Sequence, residues 1–192
     1  MTPRPYISFS QLALWERNSE EYRRIYFYGG ERPETAEMEL GAAFHKDMEI
    51  GKRSKILRKF PKYPKCEYKM GTILQTPIGA VPLLAKLDNY NPNQRVIADL
   101  KTGAKWTQAM ADQSDQLTFY ALVYLIRIGK FPILRIHWAQ TVHEKGRIRL
   151  TGHTATFETT RSLHRIHLIR NRAIEAWRGI NRMAKEEWRR YI

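Results

Sequence analysis

The 192-residue sequence predicts an α/β fold: a mixed central sheet flanked by helices and followed by a long C-terminal helix. Three apolar segments between residues 67 and 103 are separated by the turn signals TPIG and NPNQ, which is typical of strands joined by hairpins. A long apolar helical segment then precedes the next strand pattern. A helix in that position allows two strands to pair in parallel, so we expect a mixed sheet with helices on its faces.

Two helices are predicted before the sheet. Ser8 and Gln11 form a capping-box pattern, and apolar residues follow at helical spacing as far as Tyr22. After Pro33, a second helix is expected over residues 34–50, and the basic stretch of residues 52–65 is expected to be a loop. These assignments place two helices ahead of the first strand.

The second half of the chain continues the alternation. Residues 112–129 are predicted to form one buried helix that stops at Gly129. Strands are predicted over residues 133–142, 146–152 and 153–158, and a helix with an apolar stripe and many arginines is predicted over residues 161–192. The whole chain, residues 1–192, is expected to be a single domain.

The composition favours a polyanionic partner. Lysine and arginine number 33 against 19 acidic residues, which gives a net charge of +14 and an isoelectric point of about 10.0. Nucleic acid is the expected partner, with an anionic membrane surface or simple solubility as the alternatives. Cys66 is the one cysteine, so cysteine clusters for zinc or iron–sulfur are excluded. The chain has no signal-peptide pattern and no membrane-spanning apolar run, so an intracellular, cytoplasmic protein is expected.

An acidic and a basic residue share one face at the end of the third predicted strand. Asp99 and Lys101 in RVIADLKTG are two positions apart, and residues i and i+2 of a strand point to the same side. They could form a surface ion pair, which contributes little to stability. Alternatively, they could be two parts of one reaction centre.

Asp88 and His45 are candidate metal ligands beside this pair. Asp88 ends the preceding strand, and an antiparallel hairpin would bring it next to Asp99. Neighbouring carboxylates repel unless a cation lies between them, and hard oxygen ligands suit Mg²⁺ or Mn²⁺. His45 follows small residues on a predicted helix, which favours close approach to the sheet. The alternatives are a turn-forming Asp88 and a structural or solvated His45.

Three weaker patterns accompany these residues. Gln116 and Tyr120 share one helix face at i, i+4, either as site residues or as part of the core and its boundary. The basic residues 51–65 could contact phosphates or form a solvated loop. His164 and His167 have a spacing that can bind metal, but no nearby carboxylate completes a site.

Taken in order along the chain, these residues resemble the RecB-like branch of the PD-(D/E)XK nuclease superfamily. The matching segments are GAAFH for Gly-x-x-x-His, LAKLD for the first acid, IADLKTG for Asp-x-Lys-Thr-Gly, QLTFY for Gln-x-x-x-Tyr, and the N-terminal ISFSQLALWERN helix. Each motif is weak alone, but five in the correct order are a strong signal. The resemblance covers residues 8 to about 124.

The resemblance implies a restriction-endonuclease-like fold with an αβββαβ core and a metal-dependent phosphodiesterase activity. It implies that Mg²⁺ or Mn²⁺ is held by His45, Asp88, Asp99 and the Leu100 backbone carbonyl. It further implies that Lys101 orients or activates water, and that Gln116 and Tyr120 organise the site. Asn18 stands where iron–sulfur relatives carry a cysteine, so the chain resembles the branch without an iron–sulfur cluster.

The expected function is therefore a metal-dependent DNA nuclease. An exonuclease and a single-strand-active endonuclease of replication, recombination or repair are both open, in a cell or, for a viral protein, in the host cytoplasm. The DNA could be single-stranded or a duplex end, and relatives of this size work alone or beside a helicase or recombination partner. The alternatives are a non-catalytic nucleic-acid-binding module with the same fold and a basic protein-interaction scaffold.

Overall fold

A computed structural model describes residues 4–52, 54–77 and 79–189. These residues contain a five-stranded sheet in the order β1-β2-β3-β4-β5. The strands are β1 (Lys65–Thr76), β2 (Gly79–Asn91), β3 (Val96–Gly103), β4 (Ile133–Glu144) and β5 (Arg147–Thr159). Strands β3 and β4 are parallel, and the other neighbouring pairs are antiparallel. The predicted mixed sheet is confirmed.

Helices cover both faces of this sheet. They are α1 (Phe9–Arg17), α2 (Ser19–Tyr26), α3 (Ala36–Glu49), α4 (Gln108–Gln113), α5 (Asp115–Ile128) and α6 (Leu163–Arg189). Helix α5 lies between the sheet and α6, and α3 contacts β3 and β5. The fold class predicted from the sequence, including the long C-terminal helix, is therefore confirmed. No helix of the described ranges is both long and apolar enough to cross a lipid bilayer.

The β2–β3 hairpin opens soon after its turn. Backbone pairing begins with Asn91 opposite Val96 and extends only to Asn89 opposite Ala98. Farther along β2, its edge pairs instead with Ile7 from the N-terminal segment, in a parallel bridge to Leu83. The two strands therefore separate at the positions of Asp88 and Asp99, and side chains can meet in the gap between them.

The first predicted helix is two helices. Asn18 has an extended backbone, and its Oδ1 accepts a hydrogen bond from the Glu21 amide at 3.0 Å, which starts α2. The predicted capping box is also wrong, because Ser8 caps no backbone amide with its side chain. Gln11 is fully buried instead, where its Oε1 accepts a hydrogen bond from the Tyr22 hydroxyl at 3.0 Å. The same amide donates through Nε2 to the Tyr6 carbonyl at 3.1 Å, so Gln11 joins the segment before α1 to α2 and does not cap the Ser8 backbone amide.

The predicted single helix over residues 112–129 is interrupted at Ser114. The Ser114 side chain caps α5 by accepting from the Leu117 amide at 3.3 Å. Arg161 secures the interruption, since it donates to the carbonyls of Ala111 at 2.8 Å and Ser114 at 3.0 Å. Burial lowers the pKa of this guanidinium to about 10. The sequence pattern could not show this contact because Arg161 is 47 residues away in the chain.

The two strands predicted over residues 146–158 are one strand, β5. Strand β5 continues through Gly152, which adopts a φ of +93° that glycine tolerates. The glycine interrupts the apolar sequence pattern, so the pattern suggested two strands. The predicted final helix is confirmed over the part that the structure describes, and Ile166, Ala173 and Ile180 of its predicted stripe are buried. Leu163, which was assigned to the same stripe, is 59% exposed. Residues 190–192 of that prediction lie outside the described residues.

A buried histidine ties the basic segment before β1 to the sheet. His137 of β4 has no exposed surface, and its Nε2 lies 2.8 Å from the Tyr63 hydroxyl while its Nδ1 lies 2.8 Å from Thr156 Oγ1. Phe60 lies against the same imidazole at a centroid distance of 4.9 Å. Burial and the charge of Arg135 lower the pKa of His137 to about 4.

We predict that acid destabilises the fold through His137. The unfolded histidine, with a pKa near 6.5, binds a proton before the folded one does. Its contribution to stability is therefore complete above about pH 6.5 and is lost as the pH falls toward 4, with a loss of about 3 kcal/mol. Urea unfolding at several pH values should show this slope in the wild type. In His137→Gln, which keeps a partner for Tyr63, the slope should be smaller by about that amount. Equal slopes in the two proteins would contradict the assignment.

Candidate metal centre at the β2–β3 split

The carboxylate of Asp88 bridges the gap where β2 and β3 separate. Its Oδ2 accepts a hydrogen bond from the Leu100 amide at 2.8 Å and so replaces a backbone pairing that the separated strands cannot make. Burial and the nearby charge of Asp99 raise the pKa of Asp88 well above its ordinary value, although the Leu100 hydrogen bond opposes this. The structure therefore holds two carboxylates close enough to disfavour each other's ionisation.

Asp99 lies in a closed triangle of polar contacts. It has no exposed surface, and its Oδ1 accepts from Gln116 Nε2 at 2.8 Å. Its Oδ2 lies 2.8 Å from Lys101 Nζ, which in turn donates to Gln116 Oε1 at 2.8 Å. Apart from the lysine ion pair, Asp99 Oδ2 has no hydrogen-bond partner among the described residues. The carboxylate of the pair is therefore buried, so a fully exposed surface ion pair does not describe it.

The lysine of this triangle is held in its charged form. Burial favours the neutral amine of Lys101, but the charge and hydrogen bond of Asp99, together with the charge of Asp88, outweigh it and raise the lysine pKa. The Lys101 side chain is still 27% exposed, so it can reach a bound molecule. A charged and partly exposed ammonium thus lies beside the two carboxylates.

Helix α5 supplies the third member of the triangle and its support. The second N–H of the Gln116 amide donates to the Tyr120 hydroxyl at 2.7 Å, so both amide hydrogens are used. Tyr120 is only 5% exposed and lies in the main hydrophobic core. The sequence left open whether Gln116 and Tyr120 are site residues or part of the core. Both hold for Tyr120, because it is a core residue that also holds Gln116 in place.

His45 reaches the split from α3, which packs on the face of the sheet opposite α5. Its Nε2 is 3.1 Å from the Leu100 carbonyl oxygen, and its Nδ1 is 3.6 Å from Asp88 Oδ2. A carbonyl oxygen can only accept, so Nε2 carries the hydrogen, and in a neutral ring Nδ1 has the lone pair. A lone pair facing a carboxylate is repulsive unless a cation or proton lies between the two atoms. This donor arrangement fits a divalent metal ion.

Glu67 is a member of this cluster that the sequence analysis missed. One ligand atom each from His45, Glu67 and Asp88 can be chosen so that all three lie within 4.8 Å of one another. Glu67 adopts φ +49°, which is unfavourable for a residue with a side chain and is often found at functional sites. It also forms an ion pair with Lys86. No motif pointed to it, but its position opposite Asp88 in the β1–β2 hairpin register could have done so.

The structure places every predicted site residue in one connected network. These residues are His45, Asp88, Asp99, the Leu100 backbone, Lys101, Gln116 and Tyr120. The three-residue metal group differs from the predicted ligand set, because it contains Glu67 and leaves out Asp99. The physical reason is that both oxygens of Asp99 face Lys101 and Gln116. His164 and His167 are exposed on α6 and belong to no metal-compatible group in the described ranges.

Comparison with known proteins shows which folds this chain is similar to. No family of known proteins matches the sequence, and no curated protein matches it either. Among solved structures, a candidate exonuclease from Eubacterium rectale matches with a TM-score of 0.61 and 14% identity over 95% of this chain and 82% of that one. The chain shares its fold.

Two further solved structures have a similar fold. The alkaline exonuclease LHK-Exo of Laribacter hongkongensis, solved with dAMP, matches with a TM-score of 0.54 and 11% identity over 97% of this chain and 93% of that one. A phage-related exonuclease from Haemophilus somnus matches with a TM-score of 0.53 and 12% identity over 90% of this chain and 83% of that one. Identities this low show a common fold and leave the chemistry to be argued from this chain's residues.

We predict that Asp88→Asn stabilises the metal-free protein and removes its stabilisation by metal. Asparagine keeps an acceptor for the Leu100 amide but removes the repulsion between two carboxylates. Thermal unfolding in EDTA should therefore show a higher Tm for the variant. Addition of Mn²⁺ at 100 times its dissociation constant should stabilise the wild type by about 2.7 kcal/mol, because a ligand that binds only the folded state favours folding. The variant should respond far less, and an equal response in both proteins would exclude Asp88 as a ligand.

Proposed function

We propose that this chain is a divalent-metal-dependent DNA nuclease, residues 1–192 acting as one nuclease domain, with its active centre at the β2–β3 split. The observation that carries the proposal is the meeting, at the β2–β3 split, of the fully buried Asp99, the partly buried Asp88, an imidazole and a charged lysine. Hydrolysis of a phosphodiester needs an activated water and compensation for the charge of the phosphate. This cluster offers groups for both tasks.

The metal would be Mg²⁺ or Mn²⁺. Carboxylate and carbonyl oxygens suit these ions, and an imidazole nitrogen is compatible with Mn²⁺. His45 would hold it through Nδ1 together with Asp88 and Glu67. The Leu100 carbonyl would join these ligands only after releasing its hydrogen bond from His45 Nε2. Asp99 would join through Oδ2, the oxygen that pairs with Lys101. When bound, such an ion lowers the pKa of its water and neutralises phosphate charge.

The remaining residues would act on the reacting phosphate and on geometry. Lys101 keeps its positive charge and is partly exposed, so it can stabilise negative charge that develops on the phosphate and can orient the attacking water. Gln116 would keep Lys101 and Asp99 aligned through its hydrogen bonds to both. Tyr120 would act indirectly by fixing Gln116.

The substrate proposal rests on charge and on the neighbouring structures. A net charge of +14 favours a polyanion. The three solved structures described above are exonucleases or a candidate exonuclease, and one was solved with dAMP, which supports DNA and favours exonuclease over endonuclease action for this chain as well. A cytoplasmic setting and a helicase or recombination partner belong to the same proposal.

We predict that Lys101→Ala abolishes cleavage while leaving DNA affinity nearly intact. Lys101 is one positive charge in a strongly basic chain, so its loss changes ground-state binding little. An interaction that strengthens in the transition state appears in the rate, and the loss of one such contact typically costs about 100- to 1000-fold. Single-turnover cleavage with Mg²⁺ or Mn²⁺ should be measured beside a DNA titration in Ca²⁺.

Two further variants separate chemistry from folding in this experiment. Lys101→Arg keeps a charge against Asp99 but should not restore the full rate, since a planar guanidinium does not replace a compact ammonium. Lys130→Gln, an exposed charge beyond the C-terminus of α5, should cleave normally. Cleavage by Lys101→Ala at the wild-type rate would contradict the assigned role, and the absence of cleavage by the wild type with any substrate would favour the non-catalytic binding module.

We predict that DNA binding weakens steeply with salt. Each phosphate neutralised releases counterions and contributes about 0.9 to the log–log slope for duplex, or about 0.7 for single strands. Fluorescence anisotropy between 50 and about 200 mM salt should give a slope of several units. A flat dependence would remove nucleic acid as the partner and would favour the protein-interaction scaffold.

A further inference from the structure

A cavity of about 640 Å³ lies between the end of α3, the basic segment before β1, and strands β1 and β2. It is near the cluster formed by His45, Glu67 and Asp88. This volume falls within the roughly 300–1,000 Å³ of small-molecule sites. Two of the cavity's lining residues are chain neighbours of cluster residues on β1 and β2. Cys66 lines it and directly precedes Glu67, and Asn89 lines it and directly follows Asp88.

One buried side chain in this cavity lacks a partner. Asn89 is 1% exposed, and its Oδ1 accepts from Cys66 Sγ at 3.4 Å. Its Nδ2 has no hydrogen-bond partner in the described part of the chain. Buried polar groups are rarely left unpaired. Because Nδ2 has almost no accessible surface, a ligand in the cavity that supplies an acceptor would pair with it once the side chain turns toward the cavity.

The cavity lining carries more positive than negative charge, since Lys52, Arg58 and Lys62 stand against Glu49. Arg58 and Lys62 line it, are exposed, and form no ion pair within the residues that the structure describes. Lys52 also lines it but pairs with Asp47. Two available cations favour an anionic group such as a phosphate, and an arginine can bind phosphate with two parallel hydrogen bonds.

The rest of the lining suits an organic portion attached to that anion. Phe60 and Tyr63 contribute ring surface, and Leu57 contributes aliphatic surface. Phe60 is held against His137, and the Tyr63 hydroxyl is hydrogen-bonded to the same histidine, so this wall is fixed. Glu49 adds an acceptor for an amino or hydroxyl group. Inorganic phosphate alone would leave this wall unused.

We propose that the cavity binds one nucleoside monophosphate unit of a DNA strand. The Asn89 amide donates to this unit, Arg58 and Lys62 face its phosphate, and the base lies against the wall that contains Phe60 and Tyr63. This inference rests on the proposed nuclease function for the identity of the strand. Because Cys66 and Asn89 of the cavity are the chain neighbours of Glu67 and Asp88 in the cluster, the cavity would hold a nucleotide next to the one being cleaved.

The test is a titration with dAMP and with the other deoxynucleoside monophosphates in EDTA. Binding is measured by calorimetry or NMR. Without a divalent ion, a nucleotide held through a metal at the cluster cannot contribute to the signal. Asn89→Leu is similar in size and removes an unpaired buried amide, so it should fold with an unchanged or higher Tm. It should nevertheless bind dAMP about tenfold more weakly, the cost of one lost hydrogen bond to a charged or polar ligand.

A pair of charge variants provides the matched control. Lys62→Gln should weaken dAMP binding several-fold, whereas Lys130→Gln, which removes the same charge elsewhere, should leave it unchanged. The deoxynucleoside without phosphate should bind more weakly than dAMP. Equal affinity of wild type and Asn89→Leu, or equal effects of the two lysine variants, would overturn the proposal.

Competition distinguishes the source of the nucleotide. Displacement of dAMP by linear single strands but not by circular ones would identify a terminal nucleotide, and displacement by both would identify an internal one; both support the cavity as part of the strand's path. Displacement by neither would contradict it. If the wild type cleaves DNA but Asn89→Leu binds dAMP as tightly as the wild type, the proposed role of the cavity is refuted and the nuclease function stands. If Asn89→Leu weakens dAMP binding but the wild type cleaves no DNA, the nuclease function is refuted and the cavity stands.

Discussion

The burial of one carboxylate constrains the rest of the site. Asp99 has no exposed surface, and an ionised carboxylate in that position is tolerated only with a paired charge and hydrogen bonds. Lys101 supplies the charge and Gln116 supplies the hydrogen bond, so the start of α5 must lie against the end of β3. Tyr120 then fixes Gln116 from within the core. One requirement for charge compensation thus links a strand, a helix and the hydrophobic core.

The separation of β2 from β3 is the second half of the same arrangement. Continued pairing of these strands would use the Leu100 amide in the sheet. Because the strands separate, that amide binds the Asp88 side chain and the Leu100 carbonyl is left near His45. Ile7 covers the edge of β2 that the separation leaves unpaired. The split therefore costs few unsatisfied backbone groups, and it brings together groups from β2, β3 and α3.

The sequence was sufficient wherever the relevant signal is local. Turn residues and period predicted both hairpins, and the i, i+2 spacing of Asp99 and Lys101 placed them on one face. The sequence was insufficient where contacts between residues far apart in the chain determine the local structure. The interruption at Ser114 depends on Arg161, and the break at Asn18 is accompanied by burial of Gln11 against Tyr22. Glu67 was missed because its contribution arises from a strained backbone and the register of a hairpin, which no short motif encodes.

The central claim is that the β2–β3 split is a divalent metal centre, and an anomalous difference map from crystals soaked in Mn²⁺ tests it most directly. We expect a peak within coordination distance of Asp88 carboxylate oxygen and His45, with Glu67 or the Oδ2 atom of Asp99 completing the oxygen ligands. The same map should show Lys101 displaced from Asp99 if Asp99 is a ligand. A saturating soak with no peak at Asp88, or a peak elsewhere with the triangle of Asp99, Lys101 and Gln116 unchanged, would contradict the account.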